Sequence, residues 1–201
     1  MGKFIVLEGL EGCGKTTQAK LLYEALRERG EKCVLTKEPT QSDIGKLIMA
    51  DVQKKEDRLD IMGLQFLFVA DRMEHVAKFI VPKLDEGYTI VSDRYSYSTI
   101  THVHAFAKPP YSDLDWMLNV HSKLPVPDAV IYINVSPELA MERINSRGDG
   151  KRRFDNPANL KALAKSYSEI GKKLPKIWHI VDGNKSQNEV TEQLLAVFDS
   201  L

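Results

Sequence analysis

Gly9-Leu10-Glu11-Gly12-Cys13-Gly14-Lys15-Thr16 is the stretch that decides the fold. It follows the apolar run Phe4-Ile5-Val6-Leu7 and precedes a helical pattern that runs to Arg29. Strand, glycine loop and helix, in that order, are the setting in which G-x-x-x-x-G-K-[ST] becomes a phosphate-binding loop. The glycines let backbone amides close on phosphate oxygens, and the helix N-terminus behind them adds partial positive charge. Gly9, Glu11, Gly12, Cys13, Gly14 and Thr17 are therefore candidate nucleotide contacts. Lys15 can reach the β- and γ-phosphates, and the Thr16 hydroxyl can ligate a magnesium ion. A chance match in a loop is the competing reading, and flanks of the right type on both sides weigh against it. The stretch is read as a nucleoside-triphosphate site.

Outward from the loop, strand-like runs alternate with helical patterns. The runs at 3–8, 32–36, 88–93, 129–135 and 177–181 are almost continuously apolar, as in a parallel sheet covered on both faces. Gly30 stands where a first helix should release the chain. Asp60 caps a long helical pattern through Ile61, Leu64, Phe68, Val76, Ile80 and Leu84, and Gly87 ends it. Ser136-Pro137 and Asn156-Pro157 pair an N-cap with proline at the first helical position. Ser186 with Glu189 is a capping box. The alternation predicts a doubly wound α/β fold in a single domain spanning 1–201. In such a sheet ligands collect at the carboxyl ends of the strands.

The chain has 201 residues, 43% of them hydrophobic, an ordinary globular composition. Lys plus Arg and Asp plus Glu are 28 each, so charge gives no case for a general nucleic-acid binder. Two cysteines make no disulfide framework, and Cys33 reads as a buried strand residue. The chain opens on a strand, and no apolar run approaches the ~18 residues of a membrane span. The expectation is a cytoplasmic protein with no membrane partner.

Charge gathers after two strands. Asp93 ends Thr89-Ile90-Val91-Ser92, where a carboxylate can hold magnesium opposite Thr16. Arg94 follows, and a guanidinium there can bridge phosphates. A plain surface ion pair is the alternative. Phe68 and Arg72, four apart, share a helix face and can grip a flat heterocycle. Taken alone, they read first as a core ring and a solvated charge. Arg143, Arg147, Lys151, Arg152 and Arg153 surround Ser146-Arg147-Gly148-Asp149-Gly150, which reads as a mobile lid over about 146–156, as a solvated charge run, or as a weakly supported nucleic-acid patch. His102 and His104 have no metal-ligand spacing around them.

These pieces together resemble the thymidylate kinase family. The likeness rests on Leu7 through Gln18, Glu38-Pro39, Leu67 through Arg72, Asp93 through Ser98, Arg147-Gly148 through Asp155, and Val181 through Ser186. It implies a five-stranded parallel sheet, a cis Glu38-Pro39 peptide, a homodimer, and transfer of phosphate from Mg·ATP to dTMP. It implies that Lys15 and the loop hold ATP, with Asn184 and Lys185 beside the adenine, and that Thr16 and Asp93 organise magnesium. Arg94 would clamp the acceptor phosphate, Phe68 would stack on thymine, Arg72 would bond its edge, and Glu11 would lie near the 3′-hydroxyl. Glu38, Ser98 and His102 complete the acceptor side. Arg147 and Arg153 match the lid's catalytic arginine best, with Arg152 their neighbour. The sequence departs from the family's pattern at Lys37, Met49, His102 and Val103, which leaves the acceptor preference open. Other readings are a kinase for another monophosphate or a nucleoside, with Glu38 as base, and a GTPase-like switch. Against the switch, Asn184-Lys185-Ser186-Gln187 lacks the guanine-reading carboxylate.

Overall fold

Five short strands form one parallel sheet: β1 (Phe4–Glu8), β2 (Cys33–Lys37), β3 (Thr89–Asp93), β4 (Ala129–Asn134) and β5 (Trp178–Asp182). The computed structural model describes residues 2–53, 59–148 and 152–201. Every strand read from the sequence is present, with its ends moved by a residue or so. The strand order is β2-β3-β1-β4-β5. The chain therefore leaves β1 to one side for β2 and β3, and to the other for β4 and β5. The crevice above such a reversal is where an open α/β sheet places its ligand. In register, Leu7 lies opposite both Asp93 and Ile131, so the end of β3 stands beside the start of the glycine loop.

Around the sheet lie α1 (Lys15–Glu28), α2 (Asp43–Val52), α3 (Ile61–His75), α4 (Val81–Asp85), α5 (Ser96–Phe106), α6 (Leu114–Val120), α7 (Pro137–Ser146), α8 (Pro157–Lys173) and α9 (Gln187–Asp199). β1 and β3 are buried along their whole length, because helices cover both faces; this removes the alternation a half-exposed strand would show. The caps read from sequence form: Ser136 accepts from the Leu139 amide, Asn156 from Asn159, and Ser186 with Glu189 makes a reciprocal capping box.

The long helix expected from Asp60 to Gly87 is not a single α-helix. After α3 the chain makes a π-helical turn at Val76–Ile80, in which the Val81 amide donates to the Val76 carbonyl, and then continues as α4. Pro82 supplies the reason. It has no amide to donate, and its ring would press on the preceding turn; a widened turn relieves both problems. The Glu38-Pro39 peptide is cis, as the family resemblance implies, and Pro109-Pro110 is cis as well. Helix α5 carries none of the end signals picked out in the sequence, for a reason that lies in the site, whereas α6 opens on a local cap that the sequence reading passed over, Asp113 accepting from the Trp116 amide.

Candidate active site

Above the carboxyl ends of β1 and β3 opens a cavity of about 630 Å³. From the loop, Gly9, Glu11, Gly12, Gly14, Lys15, Thr16 and Thr17 line it. Gly14 is the N-cap of α1 at φ 97°, a conformation that disfavours any side chain. At Gly12 a Cβ would meet the Ala140 carbonyl at 2.5 Å, so α7 packs directly on the loop. Cys13 is buried beneath it, 3.5 Å from Lys15 Nζ. Lys15 is itself buried and donates to the Gly9 and Leu10 carbonyls at 2.9 and 2.6 Å.

Thr16 Oγ1 donates to Asp93 Oδ2 at 2.6 Å. Asp93 Oδ1 is fully enclosed and has no partner among the described residues. A hydroxyl and a carboxylate in contact, with one carboxylate oxygen unsatisfied, are the donor set a small hard cation takes when phosphates and water complete its shell. The pair fits magnesium. Among the described residues no group of three or more His, Cys, Asp or Glu could hold a metal unaided.

Arg94 sits at φ 78°, unusual for a residue with a side chain. Its Nη1 donates to Ser98 Oγ and its Nη2 to Glu11 Oε2, each at 2.9 Å. Glu11 also receives Arg147 and Arg152, whose Nη1 atoms lie 2.8 and 3.0 Å from Oε1. Burial alone would raise the Glu11 carboxyl. Arg94, Lys15, Arg147 and Arg152 outweigh it and hold the group far below the usual carboxylate range. One carboxylate thus gathers three guanidinium groups from two sides of the cleft. A triphosphate tail or an acceptor phosphate needs the same cluster of donors.

Beneath this cluster lies a residue the sequence reading did not count as part of the site. Glu8, fully buried, accepts the Tyr95 and Ser98 amides on Oε1, both at 3.0 Å. Its Oε2 accepts the Ser98 hydroxyl at 2.7 Å and the Tyr167 hydroxyl at 2.9 Å. The N-cap of α5 is Tyr95, which makes no side-chain cap bond. Glu8 caps that helix from β1 and so fixes the turn carrying Arg94. Burial raises its carboxyl, against the opposing effect of Arg94.

On the far side, Glu38, Gln65, Phe68, Ser98, Thr99, His102 and Phe154 line the cavity. Phe68 is half-buried. Arg72 is 1% exposed and does not line the cavity. Its Nε donates to Glu38 Oε2 at 2.7 Å, Nη1 to Thr99 Oγ1 at 3.2 Å, and Nη2 to the Tyr95 carbonyl at 3.0 Å. His121 Nδ1 donates to the Met117 carbonyl, so its Nε2 accepts from Arg72 Nη1. Arg72 is thus neither solvated nor loose, and it locks Glu38 beneath the base side of the cleft. Lys37 and Met49 also line the cavity, whereas Val103 is fully buried away from it.

A family model described as thymidylate kinase matches residues 7–194. The chain belongs to the thymidylate kinase family. It is 36% identical over 201 residues to a probable thymidylate kinase of Pyrococcus horikoshii, covering 98% of this chain and 95% of that one. To the thymidylate kinase of Leptospira interrogans it is 34% identical over 200 residues, covering 97% and 93%. The solved structure of Candida albicans thymidylate kinase, described as having broad substrate specificity, superimposes with a TM-score of 0.86. That match has 30% identity and covers 99% of this chain and 92% of the other. Family membership makes the chain a phosphotransferase that uses a nucleotide phosphate donor.

Besides Arg72 and Cys13, three more residues singled out for thymidylate kinase roles stand apart from the cavity lining. Arg153 Nη1 pairs with buried Asp51 Oδ2 at 2.7 Å, its Nη2 reaches the Leu59 carbonyl, and its amide donates to the Val52 carbonyl. It ties the lid's base to the end of α2. Asn184 and Lys185 are exposed after β5, and Asn184 is bonded to Asp182. Arg143 lines the cavity and donates to the Gly183 carbonyl, so this loop adjoins its rim. Of the lid, 149–151, including Lys151, lies outside the described residues.

His102 packs edge-on against Phe154, centroids 4.8 Å apart, and its Nδ1 donates to the Ser98 carbonyl at 2.7 Å. Burial, helped by Arg94 and Lys15, lowers it from the ordinary 6.5 to about 4. Near neutral pH it is an uncharged ring with Nε2 as acceptor. The unfolded chain holds this proton below about pH 6.5 and the folded chain below about 4, so the unfolded state binds more protons in between. The stability His102 contributes is complete above that window and is lost as pH falls through it. In His102→Gln, the stability lost between pH 7 and pH 5, read by urea unfolding, is expected to shrink by about 1–2 kcal/mol relative to the parent.

Proposed function

We propose that this chain transfers the γ-phosphoryl group of ATP, held as its magnesium complex, to the 5′-phosphate of dTMP, giving dTDP and ADP. One observation carries the reading. A single cavity is lined at one end by the glycine loop with Thr16 and Asp93, at the other by Phe68 and Glu38, and between them by Arg94, Arg147 and Arg152. Two anionic nucleotides laid end to end would place their phosphates among those cations.

On this reading Lys15 turns from the Gly9 and Leu10 carbonyls to the donor phosphates, which the loop amides also hold. Thr16 and Asp93 would hold magnesium, which would supply neutralisation of the phosphate charge there. Asn184 and Lys185 flank the adenine. Arg94 clamps the acceptor phosphate, Phe68 packs on the base, and Arg72 and Glu38 hold that wall in place with Ser98 and His102. Phosphoryl transfer asks for in-line placement and charge neutralisation rather than a protein base. An oxygen of the acceptor phosphate bonds to the γ-phosphorus as the bond to the β,γ-bridging oxygen breaks, and ADP leaves. Arg147 and Arg152 reach the transferring group when the arriving phosphates compete for Glu11's three arginines.

A coupled ADP-release assay with Mg·ATP against dTMP, dUMP, UMP, CMP, dGMP and thymidine tests this. The expected result is ADP formation that depends on dTMP. ADP release that no monophosphate stimulates would remove the reading. Arg147→Ala is expected to lower kcat by about 10²-fold, as for loss of one charge-stabilising donor. Arg153→Ala is expected to lower Tm with a smaller change in kcat, since Arg153 meets Asp51 rather than the cavity.

We also propose a homodimer. Leu47 on α2 with Phe66 and Met73 on α3 are large apolar side chains 55%, 44% and 53% exposed, enough for a partner helix face to cover. Sedimentation equilibrium would read twice the chain mass. No helix among the described residues is long and apolar enough to cross a membrane. Cys13 and Cys33, both free, suit a reducing, cytoplasmic setting.

A further inference from the structure

We propose that Gln65 reads the edge of the acceptor's pyrimidine base through its side-chain amide, an inference that rests on the acceptor reading above. Gln65 lies on α3 one turn before Phe68, so the two share a face. It is 2% exposed and lines the cavity. Its carboxamide forms no hydrogen bond among the described residues. The polar side-chain atoms fully enclosed without a partner are Asp93 Oδ1, Thr101 Oγ1 and His179 Nε2. Gln65 contributes none of them, so its amide tip touches the open space of the cavity. A carboxamide set in a buried wall with its tip open to a cleft is placed to bond whatever occupies that cleft.

The neighbours sharpen the assignment. Glu38 is committed to Arg72 and His75, and Ser98 Oγ to Glu8, Arg94 and Tyr167. Thr99 Oγ1 accepts from Arg72, whose own guanidinium has four bonds inside the wall. Among these, Gln65 is the one whose side chain has no hydrogen bond at all among the described residues, and it offers a donor and an acceptor one turn from Phe68. An amide offers N–H and C=O side by side. A uracil-type ring offers the complement, an N3–H next to a carbonyl oxygen, so two parallel hydrogen bonds satisfy both groups while Phe68 covers the ring. The substrate class that follows is a thymine or uracil monophosphate, recognised by an amide from α3.

Gln65→Met keeps the side chain's length and removes both functions. The expected result is a KM for dTMP raised about tenfold, equivalent to about 1.4 kcal/mol, with KM for ATP within about twofold and Tm unchanged or higher. Gln65→Glu keeps the shape and an acceptor but loses the donor, and is expected to weaken dTMP at least as much. Calorimetric titration with dTMP should show the same loss in both variants. A Gln65→Met KM for dTMP within twofold of the parent overturns the inference, as does a lower Tm with equal losses for ATP and dTMP. If the unaltered chain phosphorylates dTMP and Gln65→Met does so equally well, the inference alone falls. If the unaltered chain uses no pyrimidine monophosphate, the acceptor reading falls and takes the inference with it.

Discussion

Arg94→Ala is expected to lower kcat/KM for dTMP about 10³-fold while the protein stays folded. The size is that of losing a guanidinium from a site whose catalysis is electrostatic. Arg94 stands between Ser98 and Glu11, on the same cavity wall as Asp93 and Thr16, so no neighbouring cation can take its place without moving. Stability changes little because alanine suffers the same penalty at φ 78° that arginine does. Arg94→Gly separates the two effects. Glycine accepts that conformation freely, so it should match or exceed the parent in Tm and be as inactive as the alanine variant. Steady-state kinetics with dTMP and a thermal melt check both. An Arg94→Ala enzyme within tenfold of the parent would show that the acceptor phosphate is held elsewhere.

Glu8→Ala is the largest expected stability loss, about 3–5 kcal/mol, the range for breaking a buried charged network from one side, or on the order of 10 °C in Tm for a chain of this size. Glu8 accepts four hydrogen bonds, two from backbone amides at the start of α5. Alanine strands the two backbone amides in a fully buried site and leaves the Ser98 and Tyr167 hydroxyls only each other. Glu8→Gln keeps one acceptor oxygen and presents an amide to the other donors, so it should lose roughly half as much. Urea unfolding at pH 7 reads both. Because Glu8 also sets the turn carrying Arg94, kcat should fall with stability. A Glu8→Ala protein as stable as the parent would mean that α5 is capped by something else.

The parallel sheet was legible because its strands are apolar on both faces and its helices end on local signals: Ser136, Asn156 and Ser186 each cap within three residues of themselves. The phosphate loop was legible for the same reason, since a strand, three glycines and a helix lie in one short run. Helix α5 was not, because its cap comes from Glu8, 87 and 90 residues away in sequence from the amides it holds. Arg72 read as a solvated charge when taken alone, yet it is buried, since its partners Glu38, Tyr95 with Thr99, and His121 come from three distant segments. Gln65 sat unnoticed in a helical pattern, because spacing shows which face a residue occupies and not what that face meets.

The sequence by itself determined that this protein is a parallel α/β phosphate-binding chain of the thymidylate kinase type, because strand burial, helix caps and a glycine loop are all written within a few neighbouring residues. The tertiary structure alone decided that Glu11 gathers three arginines, that Arg147 and Arg152 face the cavity while Arg153 braces the lid, and that Gln65 lines the cavity with an amide uncommitted among the described residues. Those facts depend on groups brought together by folding from opposite ends of the chain, and their energies come from burial and proximity, which sequence spacing does not carry.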